Sequence, residues 1–165
     1  VFTAGDELGL VDIKGWRVGI IAGNEASIPE VPRVLSLKGA QVILHGDGRA
    51  VAGTEDEVAS ASDVVILAVA NHVGNNGVVQ GRGSSRVITP PQGLWAKPVW
   101  APEGQEGWIA KEFNLDDVGR WRNLPVLGRC PTIDPRSRRL DLYGVITSGP
   151  DGGPPQGGVA EAGPR

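Results

Sequence analysis

The chain has 165 residues, 40% of them hydrophobic and 21% charged, so it can form one globular domain with a substantial core. Its formal net charge of −3 provides no basic surface, which excludes a nucleic-acid-binding role. The single cysteine, Cys130, excludes an internal disulfide framework and a cysteine-based zinc site, and it is typical of a protein from a reducing cytoplasm.

The sequence shows no segment that predicts a membrane anchor or a secretory signal. No apolar run approaches the roughly 18 residues needed to span a bilayer. The start of the chain lacks a basic flank followed by an apolar segment. The chain contains no methionine, even at position 1. We therefore expect a processed or incomplete product from which an N-terminal portion is missing.

The first predicted elements are two strands, a helix and a third strand. Residues 8–13 and 16–21 are apolar segments separated by a short turn, which predicts a strand pair. A helix is predicted to follow, with Ser27 as its N-cap and Gly39 directly after its last turn. The apolar run 41–44 has the composition of a strand buried on both faces. Together these elements form a strand–helix–strand unit.

The rest of the body continues the alternation less regularly. A helix over 54–62 precedes a β-branched strand over 64–70, and Gly74-Asn75-Asn76-Gly77 predicts a turn. Further elements are predicted in this order: strands at 85–89, 94–100 and 108–113, then a helix at 115–121. The sequence therefore predicts an α/β fold whose sheet is mixed rather than purely parallel.

The C-terminal segment, residues 148–165, is rich in glycine and proline. Such a segment cannot bury enough apolar surface to offset its ordering entropy. Its glycine pairs are not followed by Lys-Ser or Lys-Thr, so they do not form a phosphate-binding loop. We therefore predict one domain over residues 1–147 and a disordered tail over residues 148–165.

The first predicted strand–helix–strand unit carries a specific resemblance. After the strand 18–21 come Gly23, Glu25, Pro29-Glu30 and Arg33. This order resembles the nitrilase-type carbon–nitrogen hydrolase family, in which a strand leads to the catalytic cysteine. The family then has an acidic residue two positions later, a Pro-Glu pair, and an arginine three residues after the glutamate. The resemblance places Gly23 at the position of the cysteine.

Other motifs match the family in the same order along the chain and cover most of residues 2–143. They are Phe2 with Gly5, Leu37-Lys38-Gly39-Ala40, Ala70-Asn71-His72-Val73-Gly74, Gly83-Ser84-Ser85 with Val87-Ile88, Pro90 and Gly93, and Arg138-Arg139-Leu140-Asp141-Leu142-Tyr143. The resemblance implies the C-terminal half of an α-β-β-α sandwich. It also implies an amidase or nitrilase that acts on small amides or nitriles and needs no cofactor or metal.

The chemistry of the family requires a cysteine nucleophile, a glutamate as general base and a lysine that stabilises the tetrahedral intermediate. In the family the glutamate and lysine precede the segment at which this chain begins, and Gly23 has no side chain that could attack carbon. The resemblance therefore implies an inactive chain with no catalytic residue. The candidate pocket residues or oxyanion donors are the backbone N–H of Asn24, Glu25 and Asn71.

Several other residues receive structural interpretations. Cys130 has no neighbouring histidine and is not a nucleophile. His45 and Asp47 are expected in a solvated turn, because two ligands do not make a metal site. Glu30 and Arg33 are expected to form a surface ion pair. The tryptophans are interpreted as core or interface residues: Trp16, Trp95, Trp100, Trp108 and Trp121. The family's polar residues before the strand at 64 are replaced by Ala-Ser-Ala-Ser-Asp at 59–63.

Three alternatives to an inactive hydrolase domain remain open. The first is a non-enzymatic binding module, or a homo-oligomer that uses the family's dimer surface. The second is a nucleotide-binding α/β domain based on residues 19–24, although these lack the third spaced glycine and a ribose-binding acid. The third is an unstable fragment, since half of a sandwich would expose apolar faces.

Overall fold

The computed structural model describes residues 5–50, 53–90, 97–123 and 139–148, which form an α/β fold with a mixed sheet. This confirms the predicted fold class. The elements are β1 Gly9–Ile13, β2 Trp16–Ala22, α1 Glu30–Leu37, β3 Val42–Asp47, α2 Glu55–Asp63, β4 Ile66–Asn71, β5 Val73–Asn75, β6 Gln80–Arg82, β7 Arg86–Thr89, β8 Lys97–Trp100, α3 Leu115–Asn123 and α4 Gly144–Thr147. None of the helices in the described ranges has the length and apolar character needed to cross a membrane.

Six of the strands form one sheet in the order β1-β2-β3-β4-β7-β8, and β5 and β6 form a separate hairpin. The central strands β2, β3 and β4 are parallel, whereas β1, β7 and β8 pair antiparallel. In this register Ala22 lies beside Gly46, and Asp47 lies beside Asn71. The carboxyl ends of the parallel strands therefore meet at one sheet edge, which is where open α/β sheets bind ligands.

One face of the sheet packs against α1 and α2. The core on this face includes buried apolar residues from both helices and four strands, among them Ile21, Leu35, Ile43, Ala59, Leu67 and Ile88. Gly19 permits the close approach of α1, because a Cβ at this position would lie 3.0 Å from Cδ1 of Leu35. This packing fixes α2 above the carboxyl ends of the strands.

The opposite face is covered only in part. Val118 in α3 packs on Val18, Val42 and Ile66. The ring of Trp16 meets Phe113 with centroids 5.3 Å apart. Other apolar residues on this face of the sheet remain exposed in the part of the chain that the structure describes: Val11, Ile20, Leu44 and Val99. We call these four residues the open sheet face.

Two of the predicted elements differ from the structure. Residues 108–113 form no strand, and Phe113 instead packs against Trp16. Helix α1 begins at Glu30 with Pro29 at its N-cap position, so the prediction that Ser27 caps this helix is wrong. Ser27 ends a short 3-10 turn, Gly23–Ser27, in which Glu25 provides the side-chain hydrogen bond. This turn therefore has only the glutamate half of a capping box, because the preceding Ala22 has no side-chain acceptor.

The remaining predictions divide between observed and undescribed parts of the chain. The turn predicted at residues 74–77 is shifted in the structure: Gly74 and Asn75 belong to β5, and the chain reverses over residues 76–79 at the tip of the β5–β6 hairpin. Trp108 is 85% exposed and is not a core residue. Several positions that were interpreted from the sequence lie outside the described residues: Phe2, Gly93, Trp95, Cys130, Arg138 and residues 149–165. The division into a domain and a tail thus stays a prediction.

Candidate functional site at the carboxyl edge of the parallel strands

The turn after β2 begins at Gly23, whose backbone lies in the left-handed region with a φ of +56°. A Cβ placed on Gly23 would meet nothing within 4 Å, so there is room here for a side chain. A non-glycine residue would nevertheless carry a backbone strain of about 1 kcal/mol. The site predicted for the family's nucleophile is therefore an open turn at the sheet edge.

The two residues after Gly23 differ in what they offer this turn. Asn24 is exposed. Glu25 is half-buried, and its Oε2 accepts a hydrogen bond of 2.6 Å from the backbone N–H of Ala22. The carboxylate of Glu25 thus stabilises the turn from within. This contact gives Glu25 a structural role in the conformation observed.

His45 in β3 is buried rather than solvated. Its side chain is 1% exposed, and Asp47 is buried as well, so the solvated turn predicted for these two residues is wrong. The Nδ1 atom of His45 lies 2.9 Å from Oδ1 of Asp56 in α2. Its Nε2 atom lies 2.9 Å from the carbonyl oxygen of Gly23. His45 therefore connects the turn after β2 to α2.

The carboxylate of Asp56 also binds two arginines. Its Oδ2 accepts hydrogen bonds from Arg49, at 3.0 Å, and from Arg86 in β7. Arg49 donates to both carboxylate oxygens of Asp47, at 2.8 and 2.9 Å. The guanidinium of Arg86 lies 5.1 Å from the ring centre of Trp100. We call His45, Asp47, Arg49, Asp56 and Arg86 the buried charge cluster.

Sequence reasoning missed this cluster because its members are distant in sequence and each alone has an ordinary explanation. Asp56 lies in the first turn of α2, where acids are common, and Arg86 begins a strand. Only the position of α2 over the sheet edge brings both beside His45. One feature of the sequence indicates that His45 is buried: the residue directly continues the apolar strand that is predicted at 41–44.

The cluster shifts the pKa values of its members. Burial alone would lower the pKa of His45, but the hydrogen bonds to Asp56 and to the Gly23 carbonyl, with the charges of Asp56 and Asp47, raise it above its ordinary value. Burial would raise the pKa of Asp47, but the hydrogen bonds from Arg49 outweigh it and lower that pKa. Both shifts favour the charged forms.

The cluster also contains the one arrangement of potential metal ligands found among the described residues. His45, Asp47 and Asp56 offer ligand atoms that all lie within 4.8 Å of one another. Arg49 and Arg86 already bind the two carboxylates, however, and both ring nitrogens of His45 face other acceptors. A cation here would have to displace two guanidinium groups. We therefore assign no metal to these residues.

Asn71 ends β4 and lines a cavity of about 180 Å³. Its Nδ2 donates to the carbonyl of Arg49 at 3.1 Å, and its Oδ1 accepts from the N–H of His72 at 2.9 Å. The hydroxyl of Ser85 accepts from the Asn71 N–H at 2.9 Å. Polar neighbours in this cavity are Ser84, Gln105 and Glu106. Asn71 thus combines backbone-directed hydrogen bonds with a position at the edge of a cavity.

A second cavity, of about 210 Å³, lies between the Gly23–Ser27 turn, α1 and α2. Beside it, Nε of Arg33 lies 2.6 Å from Oδ1 of Asp63, whose side chain is 3% exposed. Arg33 was expected in a solvated pair with Glu30, but the Asp63 partner is buried. Burial raises the pKa of Asp63 to about 6, although the charges of Arg33 and Arg122 oppose this shift.

The segment 59–63 keeps polar supports of its own. The hydroxyl of Ser60 donates to the carbonyl of Val65 at 2.7 Å, and that of Ser36 donates to the carbonyl of Asp63 at 2.7 Å. Arg122 donates to the carbonyls of Val64 and Ala40. The polar residues that the family has at these positions are thus replaced by other hydrogen bonds between α1, α2 and α3.

Comparison with known proteins identifies the class of this fold. The sequence matches the family model described as carbon-nitrogen hydrolase over residues 1–123, about three quarters of the chain. The chain therefore belongs to the carbon–nitrogen hydrolase family. No curated protein matches the sequence significantly.

Solved structures with a similar fold include an amidase of the nitrilase superfamily from Nesterenkonia sp. AN1. The similarity has a TM-score of 0.52 at 23% sequence identity and covers 62% of this chain and 41% of that one. The same values hold for a variant of that amidase that lacks its cysteine and binds butyramide. Another variant carries acrylamide added to its active-site cysteine. The chain spans about two fifths of the length of these structures.

Proposed function

We propose that this chain is the C-terminal half of a carbon–nitrogen hydrolase domain and that it does not hydrolyse amides by the family's covalent route. The observation that carries this proposal is Gly23, which begins the open turn at the end of β2. Covalent attack on an amide or nitrile carbon requires a nucleophile with a lone pair. Glycine at this position supplies only a hydrogen atom where the family has a thiol.

The groups near Gly23 are better suited to binding a carbonyl compound than to catalysing its hydrolysis. Ser27 provides the nearest hydroxyl in sequence, but it ends the turn, and both ring nitrogens of His45 face Asp56 and Gly23 instead. Glu25 is engaged with the Ala22 N–H, so it is not oriented as a general base. The Asn24 N–H and the cavity beside Asn71 remain as candidate contacts for a carbonyl oxygen. The substrate class that we assign is small aliphatic amides and nitriles, and the location that we assign is the cytoplasm.

The direct test is ammonia release from short aliphatic amides, N-carbamoyl compounds and nitriles, with the Nesterenkonia amidase as a positive control. We expect no turnover by this chain or by its Cys130→Ala variant. Turnover by both chains would mean that another residue acts as nucleophile. Turnover that only the unmodified chain shows would assign the reaction to Cys130, and this result also contradicts the proposal.

A second candidate function is a non-enzymatic association module. The open sheet face favours it, because Ile20 is 47% exposed and Leu44 is 41% exposed in the middle of the sheet. Sheets bury such faces against another layer. Concentration-dependent self-association in sedimentation velocity would support this candidate, and a monomer at all concentrations would exclude the homo-oligomer.

A further inference from the structure

His45 is held between two hydrogen-bond acceptors. Its Nδ1 faces a carboxylate oxygen of Asp56, and its Nε2 faces the carbonyl oxygen of Gly23, each at 2.9 Å. A carbonyl oxygen accepts hydrogen bonds and never donates them, and an ionised carboxylate behaves in the same way. Both contacts are hydrogen bonds only if both ring nitrogens carry a proton. A neutral imidazole, which has one N–H, could satisfy only one of them.

We infer that His45 is a buried imidazolium that fastens the Gly23–Ser27 turn to α2, and that loss of its Nε2 proton releases this turn. His45 is thus a positioning residue for the sheet edge rather than a catalytic one. The Nε2 proton would pass to solvent, and Nδ1 would keep its own proton and its hydrogen bond to Asp56. The bare Nε2 lone pair would then face the Gly23 oxygen, which is repulsive. This inference goes beyond the proposed function and does not depend on hydrolysis.

The charged groups around His45 stabilise an imidazolium in this buried position. The surrounding charged groups come from the turn, β3 and the loop after it, α2, and β7: Glu25, Asp47, Arg49, Glu55, Asp56, Glu57 and Arg86. Asp56 and Asp47 act on His45 directly, and Glu55 and Glu57 pair with Arg49 and Arg86, so these four carboxylates exceed the imidazolium and the two guanidinium groups by one charge. A buried cation is stable when it is paired and hydrogen-bonded in this way.

The sign of the pH dependence follows from the direction of the pKa shift. The pKa of His45 is raised above 6.5 in the folded chain, mainly because the hydrogen bonds to Asp56 and Gly23 outweigh the effect of burial. The folded state therefore holds the proton more tightly than the unfolded state. The stabilisation from this contact is fully present below pH about 6.5 and is lost as the pH rises through the raised pKa.

NMR of the 15N-labelled histidine rings tests the protonation state directly. The chain has two histidines, so a His72→Gln variant assigns the His45 signals. We expect both ring nitrogens of His45 to show protonated-type shifts at pH 6, and we expect the ring to titrate above 6.5. A single protonated nitrogen at pH 6, or a pKa at or below 6.5, would overturn the inference. This measurement uses the unmodified fold and is valid even if substitutions at His45 prevent folding.

Hydrogen exchange tests the release of the turn. After correction for intrinsic rates, we expect protection of the amides in residues 24–28 to fall several-fold as His45 loses its proton. In a His45→Gln variant this protection should be low and independent of pH, whereas a His72→Gln variant should behave like the unmodified chain. Protection that stays constant through the His45 titration would contradict the proposed release.

Discussion

Gly23 combines a left-handed backbone with open space for a side chain, and the two properties predict different effects of substitution. A Gly23→Ala variant should fold but lose about 1 kcal/mol of unfolding free energy, because only the backbone is strained. The matched control is Gly46→Ala in β3, where a Cβ also meets nothing within 4 Å and no positive φ is recorded. Urea unfolding should show a loss for the first variant and none for the second. Equal losses would mean that the strain is not at Gly23.

Also at the scale of single residues, the sequence identifies Gly23 as a site residue but does not predict the buried polar residues that lie beside it. Position 23 is fixed by its spacing to Pro29 and Glu30, which is local information. The bond from His45 to Asp56 joins residues that are 11 positions apart and depends on how α2 lies over the sheet. No periodicity within β3 or α2 encodes that contact. Buried polar pairs are for this reason the part of the site that sequence reasoning misses.

Among the elements, the contact between α1 and α2 carries a predicted pH dependence at Asp63. Its pKa is raised from 3.8 to about 6, so the folded state binds more protons than the unfolded state between these values. Relative to an Asp63→Asn variant, the unmodified chain should lose up to about 3 kcal/mol of stability as the pH rises from 4 to 6. Above pH about 6 the difference should be constant.

Urea unfolding of both chains at several pH values measures this difference, and comparing the two chains removes contributions from other carboxylates. The direction is opposite to that of Asp47, whose pKa is lowered by Arg49. An Asp63→Asn effect that does not change between pH 4 and 6 would mean that Arg33 keeps Asp63 ionised throughout. Such a result would contradict the raised pKa.

The elements themselves were predicted well where the apolar pattern is continuous. The three parallel strands and the helices between them were located from runs such as 41–44, although β3 continues past this run to Asp47. The prediction of a strand at 108–113 is wrong because its apolar composition is typical of a strand, whereas Phe113 packs without strand pairing against Trp16 and the core cluster around Val118. Composition alone does not separate these two cases.

At the scale of the whole molecule, the open sheet face predicts where the chain binds a hydrophobic dye and associates with other molecules. Replacing Ile20 and Leu44 with threonine should change the unfolding free energy by less than about 1 kcal/mol, because both side chains are already exposed. The double variant should bind less of the dye ANS and should associate less. The control is Val18→Thr on the same strand, where a side chain that is 5% exposed should cost about 1–3 kcal/mol.

Circular dichroism melting and ANS fluorescence of these variants distinguish a surface effect from a core effect. If the Ile20 and Leu44 variant loses as much stability as Val18→Thr, another part of the chain covers this face in solution. If dye binding is unchanged, the surface that binds the dye lies elsewhere. Either result would contradict the claim that the open sheet face is exposed and binds the dye.

The central claim is that the turn Gly23–Ser27 lies where the family forms its covalent bond and that it contains no thiol and no activated hydroxyl. Intact-mass and peptide mapping after treatment with acrylamide tests it most directly, because acrylamide adds to the active-site cysteine in a variant of the Nesterenkonia amidase. We predict no adduct on a Cys130→Ala chain and a single adduct, at position 23, on a chain that carries Gly23→Cys as well as Cys130→Ala. An adduct within residues 23–27 of the Cys130→Ala chain, or no adduct after Gly23→Cys, would contradict the account.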